Sequence, residues 1–323
     1  CMDGDVINDF FLRREINSPE EKTAFRKKLR ADLADEISSL GSEIHTVIVS
    51  SEQLSEMLAS DAEVQRFHDL MSPFFSNIKI LCWLREQTEK ATSYYSTALR
   101  SGHVVTFKNH LKTFTPDHPY HNYHTLLNRW AAVFGTDSIH VRIFDRNAFI
   151  NGSLIHDFLS SISPGLINAI ETATEHQNAS MSSFGQQLTI TINRIFPKYT
   201  DSEPKALTKH MPARKRLIKK IEELFPGRGS RPSAKEYQRI YDLYDESNRM
   251  LSIKYLNTNS ALFDHQPPSR KRTTLVPDGF SLAGIIAFSK FYIQSFPTLH
   301  EGLIQYCKFW IYHYFGTRRS TFP

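Results

Sequence analysis

Arg85 and Ser93 stand with seven residues between them in the run Trp83-Leu84-Arg85-Glu86-Gln87-Thr88-Glu89-Lys90-Ala91-Thr92-Ser93-Tyr94-Tyr95. A guanidinium presents two parallel N–H donors and a serine hydroxyl adds a third, a set that can grip a phosphate dianion. The same pair also suits an ordinary surface, with Glu86 or Glu89 as ion-pair partner of the arginine. Glu52 is the second candidate, a carboxylate just past an apolar run, where it could take a proton from an acceptor hydroxyl as general base. Its bland alternative is local: Ser50 and Gln53 form a capping box, and Glu52 favours the positive end of the helix that follows.

Other clusters point less clearly to chemistry. Asp117-His118-Pro119-Tyr120-His121-Asn122-Tyr123-His124 holds common zinc-ligand types, but steps of three and an intervening proline do not gather the imidazoles on one helical face. A polar loop entering a helix is the expectation, with no metal site. Arg214-Lys215-Arg216, with Lys219 and Lys220, reads as a solvated helix face. Trp130, Phe134, Tyr237, Tyr241 and Tyr244 fall at helical spacing and read as core rather than as a stacking platform. The sequence contains no His-Glu-x-x-His, no Gly-x-Ser-x-Gly and no Gly-x-x-x-x-Gly-Lys, which removes the commonest zinc-hydrolase, serine-hydrolase and Walker-type signatures.

The elements that must position these residues alternate. Ser18-Pro19-Glu20-Glu21 is a capping box with proline at the first helical position, opening an amphipathic helix over about 19–39 on Phe25, Leu29, Leu33 and Ile37. The β-branched run Ile44 to Val49 and the run Ile78 to Leu84 read as buried parallel strands. A helix over 121–134 ends at Gly135 and leads into a strand over 138–144. Strands alternating with helices imply an α/β fold with a parallel sheet flanked by helices. Beyond about residue 150 the strand signals fade, and helices near 153–162, 181–195, 213–225 and 234–256 form a helical cap.

The domain reading is therefore an α/β domain over 1–263, a linker over 264–279 containing Pro267, Pro268, Pro277 and Arg270-Lys271-Arg272, and an aromatic-rich helical tail over 280–323. That tail is expected to pack on the protein, with peripheral membrane contact as its other use. The chain has 323 residues, 40% of them hydrophobic and 23% charged, and a formal charge of +5. This balance excludes collagen, coiled-coil arrays and disorder, and the mild basic excess suits anionic small molecules without requiring nucleic acid. Three cysteines without a CxxC pair point to a reducing compartment, and with no signal pattern or long apolar run the expected location is cytoplasmic.

The strand ending in Arg85, followed after seven residues by Ser93-Tyr94-Tyr95, resembles the 3′-phosphate-binding motif of sulfotransferases that use 3′-phosphoadenosine 5′-phosphosulfate. Glu86-Gln87 stands where the eukaryotic cytosolic members often have Asn-Pro, so the chain is more similar to the bacterial sulfotransferase-like group. His45 to Glu52, Lys79 to Arg100, Tyr123 to Phe144, Ser247-Asn248-Arg249, Tyr255 and Leu262-Phe263 share that likeness, which covers roughly 44–263. The resemblance implies a P-loop-related fold and metal-free, in-line transfer of a sulfuryl group to a hydroxyl acceptor, carbohydrate or lipid-linked sugar. It implies that Arg85 and Ser93 hold the 3′-phosphate and that Glu52 is the base. The family's Lys-x-Gly-Thr-Thr-like loop for the 5′-phosphosulfate is missing, and with Cys1 at the start the expectation is a chain truncated at its N-terminus. A nucleotide- or glycan-binding relative without activity, or a nucleotide-dependent kinase or glycosyltransferase on a similar sheet, are the alternatives.

Overall fold

The computed structural model describes residues 9–169, 181–200, 207–265, 267 and 282–295. In chain order the elements are α1 (Asp9–Leu12), α2 (Pro19–Ser38), α3 (Glu52–Met57), α4 (Asp61–Met71), β1 (Ile80–Leu84), α5 (Gln87–Arg100), α6 (Phe107–Lys112) and α7 (Tyr123–Phe134). They continue as β2 (Ile139–Ile143), α8 (Leu154–Ile162), α9 (Leu166–Ala169), α10 (Ser183–Ile195), α11 (Met211–Leu224), α12 (Ala234–Leu256) and α13 (Leu282–Ser295). The fold is mixed α/β and mostly helical, with a small parallel sheet. Helix starts follow side-chain chemistry: Ser18 with Glu21 and Ser60 with Glu63 exchange reciprocal capping bonds, and Ser233 with Glu236 does the same ahead of α12. The chain divides into two compact units, one built from 1–87, 114–172 and 239–266, the other from 88–113, 173–238 and 267–323.

In the first unit β1 and β2 pair in parallel, Ile80 opposite Ile139, Cys82 opposite Val141 and Leu84 opposite Ile143. Because side chains alternate along a strand, those six share one face and pack with Val64, Leu127, Trp130, Leu251, Leu262 and Phe263. The opposite face carries Trp83 and Arg142. Asp157 of α8, 3% exposed, accepts from the Trp83 indole N–H at 2.8 Å and from Arg142 Nη1 at 3.1 Å. One buried carboxylate thus ties α8 to both strands.

In the second unit α10, α11 and α13 close around Phe184, Leu188, Leu217, Ile221, Phe225 and Phe288. Gly284 admits the Phe225 ring, since a Cβ there would come within 2.7 Å of it. Arg214 is 3% exposed rather than part of a solvated face: it donates to Asn193 Oδ1 at 3.0 Å and to the Leu99 and Arg100 carbonyls at 3.2 and 2.6 Å. Those carbonyls end α5, where helix geometry leaves them without intrahelical donors and the dipole favours a cation. Lys215, Arg216 and Lys219 are exposed, as expected.

Two expectations are corrected. Ile44 to Val49 is not a buried strand: it forms no ladder, and Ile44, Val47, Ile48 and Val49 are each 41–51% exposed. An apolar run buries its backbone polar groups only against a paired neighbour, and among the described residues β1 and β2 pair only with each other. The helix expected over 19–39 forms as α2, but none of its residues is buried, so its apolar stripe does not serve as a core face. Phe25 meets only Phe10 and Phe11 among the described aromatic rings, at 5.4 and 5.9 Å. Within the expected tail, α13 buries Ile285, Phe288 and Tyr292 in the second unit's core. The rest of the tail from 296, and nearly all of the expected linker, lie outside the described residues. No described helix is long and apolar enough to cross a membrane.

Asp157→Ala should lower folding stability by about 1 kcal/mol, the scale of one lost hydrogen bond to the half-buried Trp83 indole N–H, because the ion pair with the half-exposed Arg142 adds little. Asp157→Asn keeps one acceptor oxygen and should lose less. Urea denaturation checks both, and equal stability of Asp157→Ala and the parent chain refutes the clamp.

Candidate functional site

The parallel ladder ends in a specific way. Its last bond runs from the Phe144 N–H to the Leu84 carbonyl at 2.7 Å. The next carbonyl, that of Arg85, accepts instead from the Tyr123 hydroxyl at 2.6 Å. Tyr123 opens α7, where Asn122 caps the helix by accepting from the Thr125 N–H at 3.2 Å. A side chain from α7 therefore holds the carbonyl just past β1, where the chain leaves the sheet to turn into α5.

Arg85 sits at that release point. Its guanidinium lies over the Phe144 ring, 4.0 Å from the centroid, a cation–π contact that braces the group beside the strand end. Two residues on, Gln87 starts α5 and exchanges both amide bonds with Asn248 of α12, at 2.8 and 3.1 Å. Both amides are buried. Arg85 is thus bracketed by Tyr123 on its own carbonyl and by the Gln87–Asn248 pair.

Glu52 is exposed on the first turn of α3, and the helix is capped by Ser51, which accepts from the Gln53 N–H at 3.2 Å, rather than by the expected Ser50. Its carboxylate acts on Tyr120. Burial, then the charges of Glu56, Glu52 and Cys82, push the Tyr120 phenol up to about 12, with a hydrogen bond to Ser55 opposing. Burial likewise holds the Tyr123 phenol well above its ordinary value, with Cys82 and Tyr120 adding to it. The charge of Glu52 is thus felt at Tyr120, while Tyr123 bonds the carbonyl just past β1. Ser93 lies exposed in the middle of α5 and belongs to the second unit, whereas Arg85 and Glu52 belong to the first.

Beside the same strand end, α12 and the segment 259–263 enclose a cavity of about 200 Å³. Its walls include Tyr241, Asp245, Asn248, Asn259, Leu262 and Phe263. It adjoins the Arg85 junction through Asn248, which bonds Gln87, and through Phe263, whose ring meets Tyr123 at 6.4 Å. The expected histidine loop stacks His121 on Phe114 at 3.8 Å and His118 on His121 at 4.2 Å. Among the described residues no group of three or more His, Cys, Asp or Glu is placed to hold a metal ion.

Residue types alone did not single out Tyr120, Tyr123, Gln87 or this cavity. Asn248 stood in the Ser247-Asn248-Arg249 stretch but without a role, since its partner lies on another helix start far away in sequence. Tyr241 was assigned to core, and instead forms a cavity wall.

No protein-family model matches the chain, and no solved structure matches it. An uncharacterized protein of Archaeoglobus fulgidus is 31% identical over 149 residues, covering 46% of this chain. The chain matches 38% of the length of that relative.

A phenol raised in the folded state keeps its proton longer than in the unfolded chain, so its stabilising effect is complete below about pH 10 and is lost as pH rises through about 12. Denaturation midpoints measured between pH 8 and 12 should fall across that window. Tyr120→Phe should flatten the fall, leaving the part due to the other raised phenols, among them Tyr95, which burial raises to about 12, and Tyr123. An unchanged slope in Tyr120→Phe refutes the Tyr120 environment.

Proposed function

We propose that this chain carries the 3′-phosphate-binding end of an enzyme that transfers a sulfuryl group from 3′-phosphoadenosine 5′-phosphosulfate to a hydroxyl acceptor. The observation that carries the reading is Arg85: a guanidinium at the carboxyl end of a parallel strand, braced over Phe144 with its backbone carbonyl held by Tyr123. Ligands of open α/β sheets bind at strand carboxyl ends, and a guanidinium matches two phosphate oxygens at once. Ser93 is the second residue assigned to the phosphate by the resemblance.

The residues present fit the 3′-phosphate end of the donor. The sulfate end calls for a lysine and a nest of backbone N–H groups, and the sequence has no Lys-x-Gly-Thr-Thr-like loop, so that end is assigned no residue of this chain. When bound, the nucleotide supplies the activated sulfate. The role left to the chain is to orient the donor through Arg85 and to receive the acceptor's proton at the Glu52 carboxylate, whose exposure on α3 leaves it accessible to a hydroxyl.

Titration calorimetry with adenosine 3′,5′-bisphosphate tests the reading. Binding to the parent chain should weaken at least ~10-fold in Arg85→Ala, as expected for loss of hydrogen bonds to a charged group, with a smaller loss in Ser93→Ala. Arg85→Lys should fall between, because an ammonium keeps the charge without the fork. Equal affinity in Arg85→Ala, or tighter binding of ATP than of the bisphosphate, refutes it.

A further inference from the structure

The cavity between α12 and 259–263 has a composition of its own. Leu262, Phe263 and the Tyr241 ring are apolar surface, and the Tyr241 hydroxyl is tied back to the Phe263 carbonyl at 3.3 Å. Against them stand two amides, Asn248 and Asn259, and the Asp245 carboxylate. An amide offers donors and acceptors together, and a carboxylate only accepts. A hydroxyl, which both donates and accepts, is satisfied by such a set, and the bonds of Asn248 to Gln87 use only one of its two N–H donors and one of its acceptor lone pairs.

Charge narrows the ligand further. The only basic lining residue among those described, Arg249, is held by both oxygens of Glu246 at 2.9 and 3.1 Å, so its charge is matched on its own helix. Burial, then the charges of Asp245, Glu86, Asp264 and Asp242, raise the Tyr241 phenol, and of these carboxylates Asp245 lines the cavity itself. An anionic group entering here would meet the Asp245 carboxylate, while the charge of Arg249 is already engaged by Glu246. Size sets the last limit: about 200 Å³ is below the ~300–1,000 Å³ typical of drug-sized pockets, room for one small ring.

We infer that this cavity takes a single hydroxyl-rich ring carrying no negative charge, seated against Tyr241 and hydrogen-bonded by Asn248, Asn259 and Asp245. The assignment of that ring as the acceptor rests on the sulfuryl-transfer reading of the Arg85 junction. The cavity adjoins that junction through the Gln87–Asn248 pair. Asp245 is the specificity-determining residue, because it both accepts from a neutral ring and repels an anionic one.

Saturation-transfer NMR on the full chain at neutral pH, with glucose, glucosamine and glucuronate as probes, tests the site. Glucose and glucosamine should give transfer signals and glucuronate none. The signals should vanish in Asn259→Ala, an exposed position whose change leaves the core intact, and in Tyr241→Ala, and persist in Arg85→Ala. Asp245→Asn should admit glucuronate. Silence from all three sugars, an equal glucuronate signal in the parent chain, or retention in Asn259→Ala overturns the inference. Titration of the same samples with adenosine 3′,5′-bisphosphate separates the two readings: bisphosphate bound without sugar removes only the cavity assignment, and sugar bound without bisphosphate removes only the nucleotide reading and the acceptor role.

Discussion

The hydrogen bond from the Tyr123 hydroxyl to the Arg85 carbonyl is the constraint on which the site depends. Parallel strands hold each other through evenly spaced backbone bonds, and every buried carbonyl beyond the last of them needs another donor. Here the ladder stops at Leu84, and Tyr123 supplies the next donor from α7. The strand can then leave the sheet without an orphaned carbonyl, Arg85 falls at the point of departure, and Gln87 is delivered to α12.

Around that bond the first unit arranges two chemical environments. Toward α3, Glu56, Glu52 and Cys82 act on Tyr120, and Cys82 acts also on Tyr123, two phenols that burial keeps protonated. Toward α12 stand a buried amide pair and a small cavity with the Asp245 carboxylate in its wall. A cation braced on an aromatic ring stands at the strand end to which both connect. Separation of a fixed positive group from an acidic, partly apolar recess is a sensible arrangement where one ligand is anionic and another is not.

Much of this frame was legible in local sequence chemistry. The strands at 80–84 and 139–143 and the helix at 234–256 were each announced by apolar runs, a terminal Gly135 or a capping box, signals that depend on neighbours a few residues away. Ile44 to Val49 misled for the converse reason: its β-branched composition is suited to a strand, but a strand exists only with a partner, and partnership is not a local property. Arg214 misled similarly, since a basic triplet on a helix looks solvated until α5 presents its terminal carbonyls to one member. The roles of Tyr123, Asn248 and Tyr241 arise from contacts between segments distant in sequence, so no window along the chain contains them.

The division into two units has a practical consequence for anyone wishing to work with part of this protein. Each unit is assembled from three separate stretches, and the chain crosses between them inside α5 and again inside α12. No single cut releases either unit whole: a break after residue 172 would separate the first from Asn248 and Leu251 of α12 and from Phe263 beyond it. Neither unit can complete its packing during synthesis before the α12 segment has been made. The chain must be dissected by point substitution rather than by truncation.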